Sequence, residues 1–373
     1  MAKRLTRLIV VALIILCLPF LGFAKGQNEP EKATSAQSGE PQRGGTFNMY
    51  IGFEPSSWDQ WDGINNMEEL MPYFYSNLML GDVEKYGPRG TNQFPFMLAE
   101  FIPDKFLGGQ LAESWEITSN PLGVKFHLRK GVMWTGNAKI GMKPRELTAY
   151  DAAYSFNRFQ KSPQGPKRIP FMTKPGFEAL DKYTLQAKFD KFSGGWPVAF
   201  GYGHDAWLVP QEVVDAGASD WRNQTSAGPF ILKDYVKGSY VSFTRNPDWW
   251  NKKRVINGKS YELPFVDEVM LPIIIDRSTQ IAALRTGKVD MARDIGLMYQ
   301  DTLSKSSPKL IIKDYAGGSA DYVTWNYQKP PTNNLQVRRA LMIGTDLNSL
   351  VKTIHIKSDI NVVPFNPGIP IDI

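Results

Sequence analysis

Three histidines, His127, His204 and His355, are the natural starting point for metal ligation or general-base chemistry. None lies close to another or to a carboxylate pair at helical spacing, so neither a zinc site nor a nucleophile–base pair is indicated. A metal site assembled from separated residues is the alternative. G-x-S-x-G, S-x-x-K, H-E-x-x-H and the P-loop are all absent. Gly201-Tyr202-Gly203 is a bare GxG, and Arg43-Gly44-Gly45-Thr46 precedes a strand where a phosphate loop would follow one. Asn223-Gln224-Thr225 matches a glycosylation sequon, a pattern common by chance. Cys17 is the only cysteine, which excludes a disulfide, a Cys-zinc site and a thiol nucleophile from everything C-terminal to it. These residues indicate neither an enzyme nor a bound cofactor.

The N-terminus fixes the compartment. Lys3, Arg4 and Arg7 precede an apolar run of 14 residues, Leu8 to Leu21, and Gly22-Phe23-Ala24 follows. A charged region, an apolar region and a small-x-small site form an export signal over residues 1–24, with the mature chain beginning at Lys25. The run is short of the ~20 residues that span a bilayer, and a short membrane anchor is the rival reading. Leu16 before Cys17 disfavours lipidation, so the expected location is the periplasm. Removal of the signal lowers the net charge from +6 to +3, with 40 Lys and Arg against 37 Asp and Glu. A pI near 9.1 is then a weak argument for nucleic acid, and no basic run carries interleaved aromatics.

Residues 25–43 contain no aromatic and no Val, Ile, Leu or Met, which predicts a flexible tether. Phe47, Met49 and Ile51 alternate with Asn48 and Tyr50 as on a first strand. The same alternation places strands at Val124-Phe126-Leu128, Tyr183-Leu185-Ala187-Phe189 and Val241-Phe243, each half-buried. His127 falls on the polar side of one of them. Thr148 with Asp151 predicts a capped helix whose Ala152, Phe156 and Phe159 share a face. Asp276 predicts another through Ile281, Ala282 and Leu284, ended by Gly287. Val337, Ala340, Leu341 and Gly344 mark a third, and Asp346 caps a fourth through Leu350, Val351 and Ile354. Tyr322, Val323 and Trp325 are expected in a strand with Thr324 facing the other way. The mixed order of strands and helices argues for α/β lobes. The Pro-rich end, residues 361–373, has no closing strand or helix, and the expectation is a chain cut in mid-domain.

Four segments then carry a resemblance. They are Leu111-Ala112-Glu113-Ser114-Trp115-Glu116 with Phe126 to Val132 and Trp134; Leu147-Thr148-Ala149-Tyr150-Asp151 to Ser155-Phe156-Asn157-Arg158; Ala227-Gly228-Pro229-Phe230, Gly238-Ser239-Tyr240 and Arg245-Asn246-Pro247-Asp248-Trp249-Trp250; and Ala283 to Asp290 with Val337 to Leu341 and Asp346. In this order and spacing, residues 44–364 resemble the bacterial extracellular solute-binding proteins of family 5, the peptide- and nickel-binding group of ABC importers. An insertion at Tyr86 to Asp104, and Asn137 to Arg145 in place of a tighter turn, depart from the family pattern.

The resemblance implies a periplasmic binding protein-like α/β fold with two lobes. Lobe I would comprise 44–66 and 206–296, an inserted sub-lobe 67–205, and an incomplete lobe II 297–373. It implies a non-enzymatic, monomeric component that holds a peptide or small-molecule ligand between lobes and delivers it to an inner-membrane ABC permease. No nucleic acid, metal or cofactor takes part. Ligand contacts would come from Ile64, Asn65 and Asn66, from Arg293, and from Gly318, Ser319 and Ala320. The alternatives are an oligosaccharide binder with Trp58, Trp61 or Trp196 stacked on sugar faces, a nickel-chelate binder, an extracytoplasmic hydrolase, and a non-binding remnant.

Overall fold

The computed structural model describes residues 41–62, 67–88, 90–94, 96, 102–256, 258–313 and 324–354. The expected signal, almost all of the expected tether, Ile64 to Asn66, Gly318 to Ala320, Tyr322, Val323, His355 and the Pro-rich end lie outside the described residues.

Eight strands build two sheets. They are β1 (Thr46–Asn48), β2 (Ala112–Ser119), β3 (Leu122–Leu128), β4 (Met172–Ala179), β5 (Thr184–Phe189), β6 (Phe230–Val236), β7 (Tyr240–Arg245) and β8 (Glu268–Pro272). One sheet has the order β1-β8-β7-β6 and the other β2-β3-β5-β4. β1 runs parallel to β8, with Thr46 opposite Glu268 and Asn48 opposite Met270. The remaining pairs are antiparallel. Four helices carry labels: α1 (Ala149–Lys161), α2 (Arg277–Arg285), α3 (Leu335–Gly344) and α4 (Leu347–Ile354).

Alternation places the expected apolar residues inside. Val124, Phe126, Leu185, Ala187, Val241 and Phe243 are fully buried, and Leu128 and Phe189 nearly so. The polar phase departs from expectation on inner strands. Ser242 and Gln186 are buried as well, because both faces of β7 and β5 are covered there. Gln186 Nε2 donates to Ala187 O at 2.8 Å and to Thr118 Oγ1 at 3.1 Å, which satisfies the buried amide. His127 stays half-exposed on the polar side of β3, with Nε2 3.9 Å from Glu116.

α1 lays Ala152, Phe156 and Phe159 against the second sheet. Phe156 meets Phe177 of β4 with ring centroids 5.0 Å apart, and Phe200 lies 5.1 Å from Phe177 and 6.3 Å from Phe126. The cap forms as the spacing predicts: Thr148 N donates to Asp151 Oδ2 at 2.8 Å. Asp151 also receives both terminal nitrogens of Arg145, at 2.6 and 3.0 Å, while Arg145 grips Glu212 at 2.6 and 2.8 Å. These carboxylates hold the Arg145 guanidinium strongly charged, and the hydrogen bonds from Arg145 in turn pull the Glu212 carboxyl below its usual range.

The quoted motifs prove to be positioning devices. Ser155 Oγ accepts Val209 N at 3.0 Å, and the Asn157 amide brackets Phe177 by donating to its carbonyl and accepting its N–H. Asn246 Nδ2 donates to Gly228 O at 2.8 Å and Asn246 Oδ1 accepts Asp248 N at 3.0 Å, so the Asn-Pro turn is tied to the Ala-Gly-Pro-Phe segment. Arg129 lies over the Trp250 ring at 4.3 Å, joining the first motif to the third. The sequon asparagine is buried, and its Nδ2 donates to Ala216 O and Gly217 O.

α2 begins at Asp276, whose side chain accepts Thr279 N at 2.8 Å, and ends before Gly287 at φ +69°. α3 and α4 occupy the expected spans, capped by Asn334 and Asp346. α3 buries none of its residues among the described ones. Thr324 and Trp325 are not in a strand, since no strand pairs with them among the described residues.

Candidate ligand-binding site

β1 and β8 are the parallel pair, and the C-terminal ends of parallel strands are where open α/β sheets place ligands. Beyond β1 the chain continues through Met49, Tyr50 and Ile51, bridging Met291 and Ile273. The segment after α2 returns along the free edge of β1. Asp290 N donates to Asn48 O at 2.8 Å, and Asp290 Oδ2 accepts Asn48 N at 2.7 Å and Asn48 Nδ2 at 3.2 Å. This docking carries Arg293 to the end of the strand.

Arg293 is held by its backbone. Tyr50 Oη donates to Arg293 O at 3.2 Å, and Arg277 Nη1 donates to Asp294 O at 3.2 Å. Asp294 has φ +56°, a conformation Asp accepts more readily than most residues. Burial pushes the Tyr50 phenol up, against the opposing charge of Arg277. The Arg293 side chain is half-exposed, and its Nη2 lies 3.0 Å from Glu69 Oε2. Burial raises the Glu69 carboxyl, and Arg293 opposes that shift. Tyr73, in the next turn, stacks on Phe243 of β7 with centroids 5.0 Å apart.

Of the expected contact residues, Arg293 is thus exposed at a strand end with a fixed backbone. Glu69 lies three positions beyond Asn66, so the chain after the expected Ile64–Asn66 stretch reaches the Arg293 side chain. Tyr50, Glu69, Arg277 and Asp290 were not anticipated as site residues. Asp290 stood in a quoted motif, and Tyr50 in the alternating strand. Glu69 carried no local signal at all.

The tryptophans proposed for sugar stacking do not serve it. Trp58, Trp61 and Trp196 are 3%, 4% and 2% exposed, with their rings packed against other aromatics. Indoles enclosed in this way serve packing first, although Trp58 also lines a cavity. A cavity of about 570 Å³ opens beside Trp221 and Tyr235, but its carboxylates are occupied. Glu54 accepts Tyr235 Oη and Gly238 N, and Asp220 pairs with Lys139 at 3.0 Å. Among the described residues no three His, Cys, Asp or Glu side chains gather into a metal site, and no helix is long and apolar enough to cross a membrane.

The family model for bacterial extracellular solute-binding proteins, family 5 Middle, matches residues 107–370. The chain belongs to this family. Among its relatives, the dipeptide-binding protein of Escherichia coli is 26% identical over 287 residues, 70% of this chain and 49% of that one. The heme-binding protein A of Haemophilus influenzae is 24% identical over 269 residues, 66% of this chain and 46% of that one. The chain spans about half the length of the curated relatives it matches. In structure, the periplasmic binding protein DppA of Helicobacter pylori, solved with the peptide STSA, superposes with TM-score 0.69 at 24% identity. That match covers 88% of this chain and 62% of the other. NikZ from Campylobacter jejuni, solved with Ni(L-His), gives TM-score 0.64 at 19% identity, over 86% and 57%. The fold is therefore the mixed α/β fold of periplasmic binding proteins.

Proposed function

We propose that this chain is the substrate-binding component of an ABC importer, exported by residues 1–24 and released into the periplasm. It binds peptides at the end of β1 and presents them to an inner-membrane permease. It works as a monomer, without catalysis, metal or nucleic acid. The contacts are taken to come from Ile64, Asn65 and Asn66, from Arg293, and from Gly318, Ser319 and Ala320. Lobe I is taken as 44–66 and 206–296, the inserted sub-lobe as 67–205, and lobe II as starting at 297.

The observation that carries this reading is the exposed Arg293 guanidinium on a backbone anchored by Tyr50 and Arg277. A half-exposed guanidinium on a fixed backbone suits a carboxylate or a peptide carbonyl, and among the described residues nothing beside it resembles a nucleophile and its base. Family membership makes a transport ligand the natural occupant.

Calorimetric titration of the 373-residue chain with di- and tripeptides tests it. Saturable binding is expected, weakened about tenfold or more in Arg293→Ala, since hydrogen bonds to charged groups exceed neutral ones. An equal affinity in Arg293→Ala would remove Arg293 from the site. Peptide hydrolysis by the purified chain would replace the reading with an enzymatic one.

A further inference from the structure

We propose that Glu69 is a built-in competitor for the Arg293 guanidinium, so that the site takes ligands whose free carboxylate displaces it. The inference rests on the binding reading above and adds the charge class of the ligand and the residue that sets it.

Two observations separate the Arg293 backbone from its side chain. The 293–294 backbone is tied at both carbonyls, by Tyr50 Oη and by Arg277 Nη1, and neither tie involves Glu69. The docked Asp290 fixes the same segment to β1 from the other side. Loss of Glu69 from the pair therefore leaves Arg293 where it is. The side-chain pair is a contact at 3.0 Å through Nη2, with side chains 49% and 39% exposed. Exposed ion pairs of this kind are weak, because water and salt compete for both ends.

The Glu69 backbone has its own anchors. It ends the 3-10 turn Met67–Glu69, with Met67 and Leu70 buried on either side of the Glu68–Glu69 pair. The backbone that carries the carboxylate is thus set opposite Arg293 by core residues, while the side chain itself stays partly exposed. Burial raises its carboxyl while Arg293 opposes that shift, so the pair is the contact that keeps Glu69 charged here.

A ligand carboxylate can approach the guanidinium fork in the two-bond geometry that an arginine favours. It replaces one carboxylate by another, so Arg293 is never left bare, and Glu69 returns to water at small cost. A neutral amide end cannot make this exchange, and a cationic end is repelled by the Arg293 charge. Glu69 thereby acts as a specificity-determining residue: it silences the guanidinium toward neutral ligands while leaving it open to anionic ones.

The test compares trialanine with trialanine amide by calorimetry, on the full chain and on Glu69→Gln. The half-exposed site tolerates the isosteric change. Glu69→Gln should bind trialanine up to about fivefold tighter, the size of an exposed ion pair, with the amide's affinity unchanged. An equal change for acid and amide, or weaker trialanine binding, overturns the proposal. If trialanine binds neither protein, the peptide-binding reading falls, and sodium acetate decides the competitor separately. The Arg293 Nε–H resonance, assigned by its loss in Arg293→Lys, should then move at lower acetate concentration in Glu69→Gln than in the unmodified chain. Identical acetate titrations would overturn the competition.

Discussion

Arg158 and Asp59, 99 positions apart, form a two-pronged ion pair beneath the Trp61 ring. Nη1 meets Oδ1 at 3.0 Å, Nη2 meets Oδ2, and the guanidinium carbon lies 5.0 Å from the ring centroid. The pair joins the segment after β1 to α1, and so ties the first sheet to the helix that packs on the second. Breaking it from one side leaves a charge in a mostly buried place. Arg158→Met should destabilise the chain by about 3 kcal/mol in urea unfolding. The double variant Asp59→Asn/Arg158→Met should recover part of that loss. Equal losses in single and double variants would show that packing of the arginine stem, and not the charge pair, matters here.

Gly228 is a second tie between distant segments. A Cβ there would sit 2.7 Å from the Phe74 carbonyl carbon, with backbone on the far side that cannot move away. Gly228→Ala should therefore cost about 2 kcal/mol, the scale of overpacking. Gly194→Ala, with nothing within 4 Å, should stay within about 0.5 kcal/mol. Thermal melts of both variants check the contrast.

Phe200 is fully buried at the meeting of Phe126, Phe156, Phe177 and Phe189. Phe200→Ala empties that meeting point and should cost roughly 3–5 kcal/mol, read as a lower urea midpoint. Phe192→Ala, at a ring that is 51% exposed, should cost far less.

Asp276 caps α2 with bonds from Ser278 and Thr279, and these hold its carboxyl at about 2. A depressed carboxyl contributes stability above its unfolded value, about 3.9, and loses it as pH falls through the folded value. The stability difference between the unmodified chain and Asp276→Ala should be constant above pH ~4 and shrink toward pH ~2. A difference that grows as the pH falls would contradict the cap.

Glu146 offers the same sign test at a different place. Lys182 at 2.7 Å and the Gly131 N–H at 2.6 Å lower its carboxyl. Glu146→Gln should remove acid-sensitive stability near the start of α1. High salt should weaken the Lys182 part and spare the backbone bond, which urea titrations at low and high salt would resolve.

Much of the fold was legible in the chain itself. Period-two burial in β3, the Thr148–Asp151 cap and the Asp276 to Gly287 helix each depend on residues within a few positions of one another. Steric and hydrogen-bond rules act at that range, so residue type and spacing suffice. The polar phase of β5 and β7 was misread because coverage of both faces depends on which elements become neighbours. Family motifs were legible too, yet their residues turned out to brace segments together: Asn157 on Phe177, Asn246 on Gly228, Arg129 on Trp250.

The candidate site was decided by tertiary structure. Glu69 and Arg293 are 224 positions apart, and Asn48 and Asp290 are 242 apart. No periodicity links such positions. They meet because β1 pairs parallel with β8, and the chain after α2 must return along the one open edge of β1. The same closure enclosed Trp58, Trp61 and Trp196, whose residue type alone allowed either a ligand wall or a core. Sequence set which residues could pack, cap or carry charge. Only the path of the backbone set which charges would face each other, because a guanidinium and a carboxylate attract through space and not along the chain.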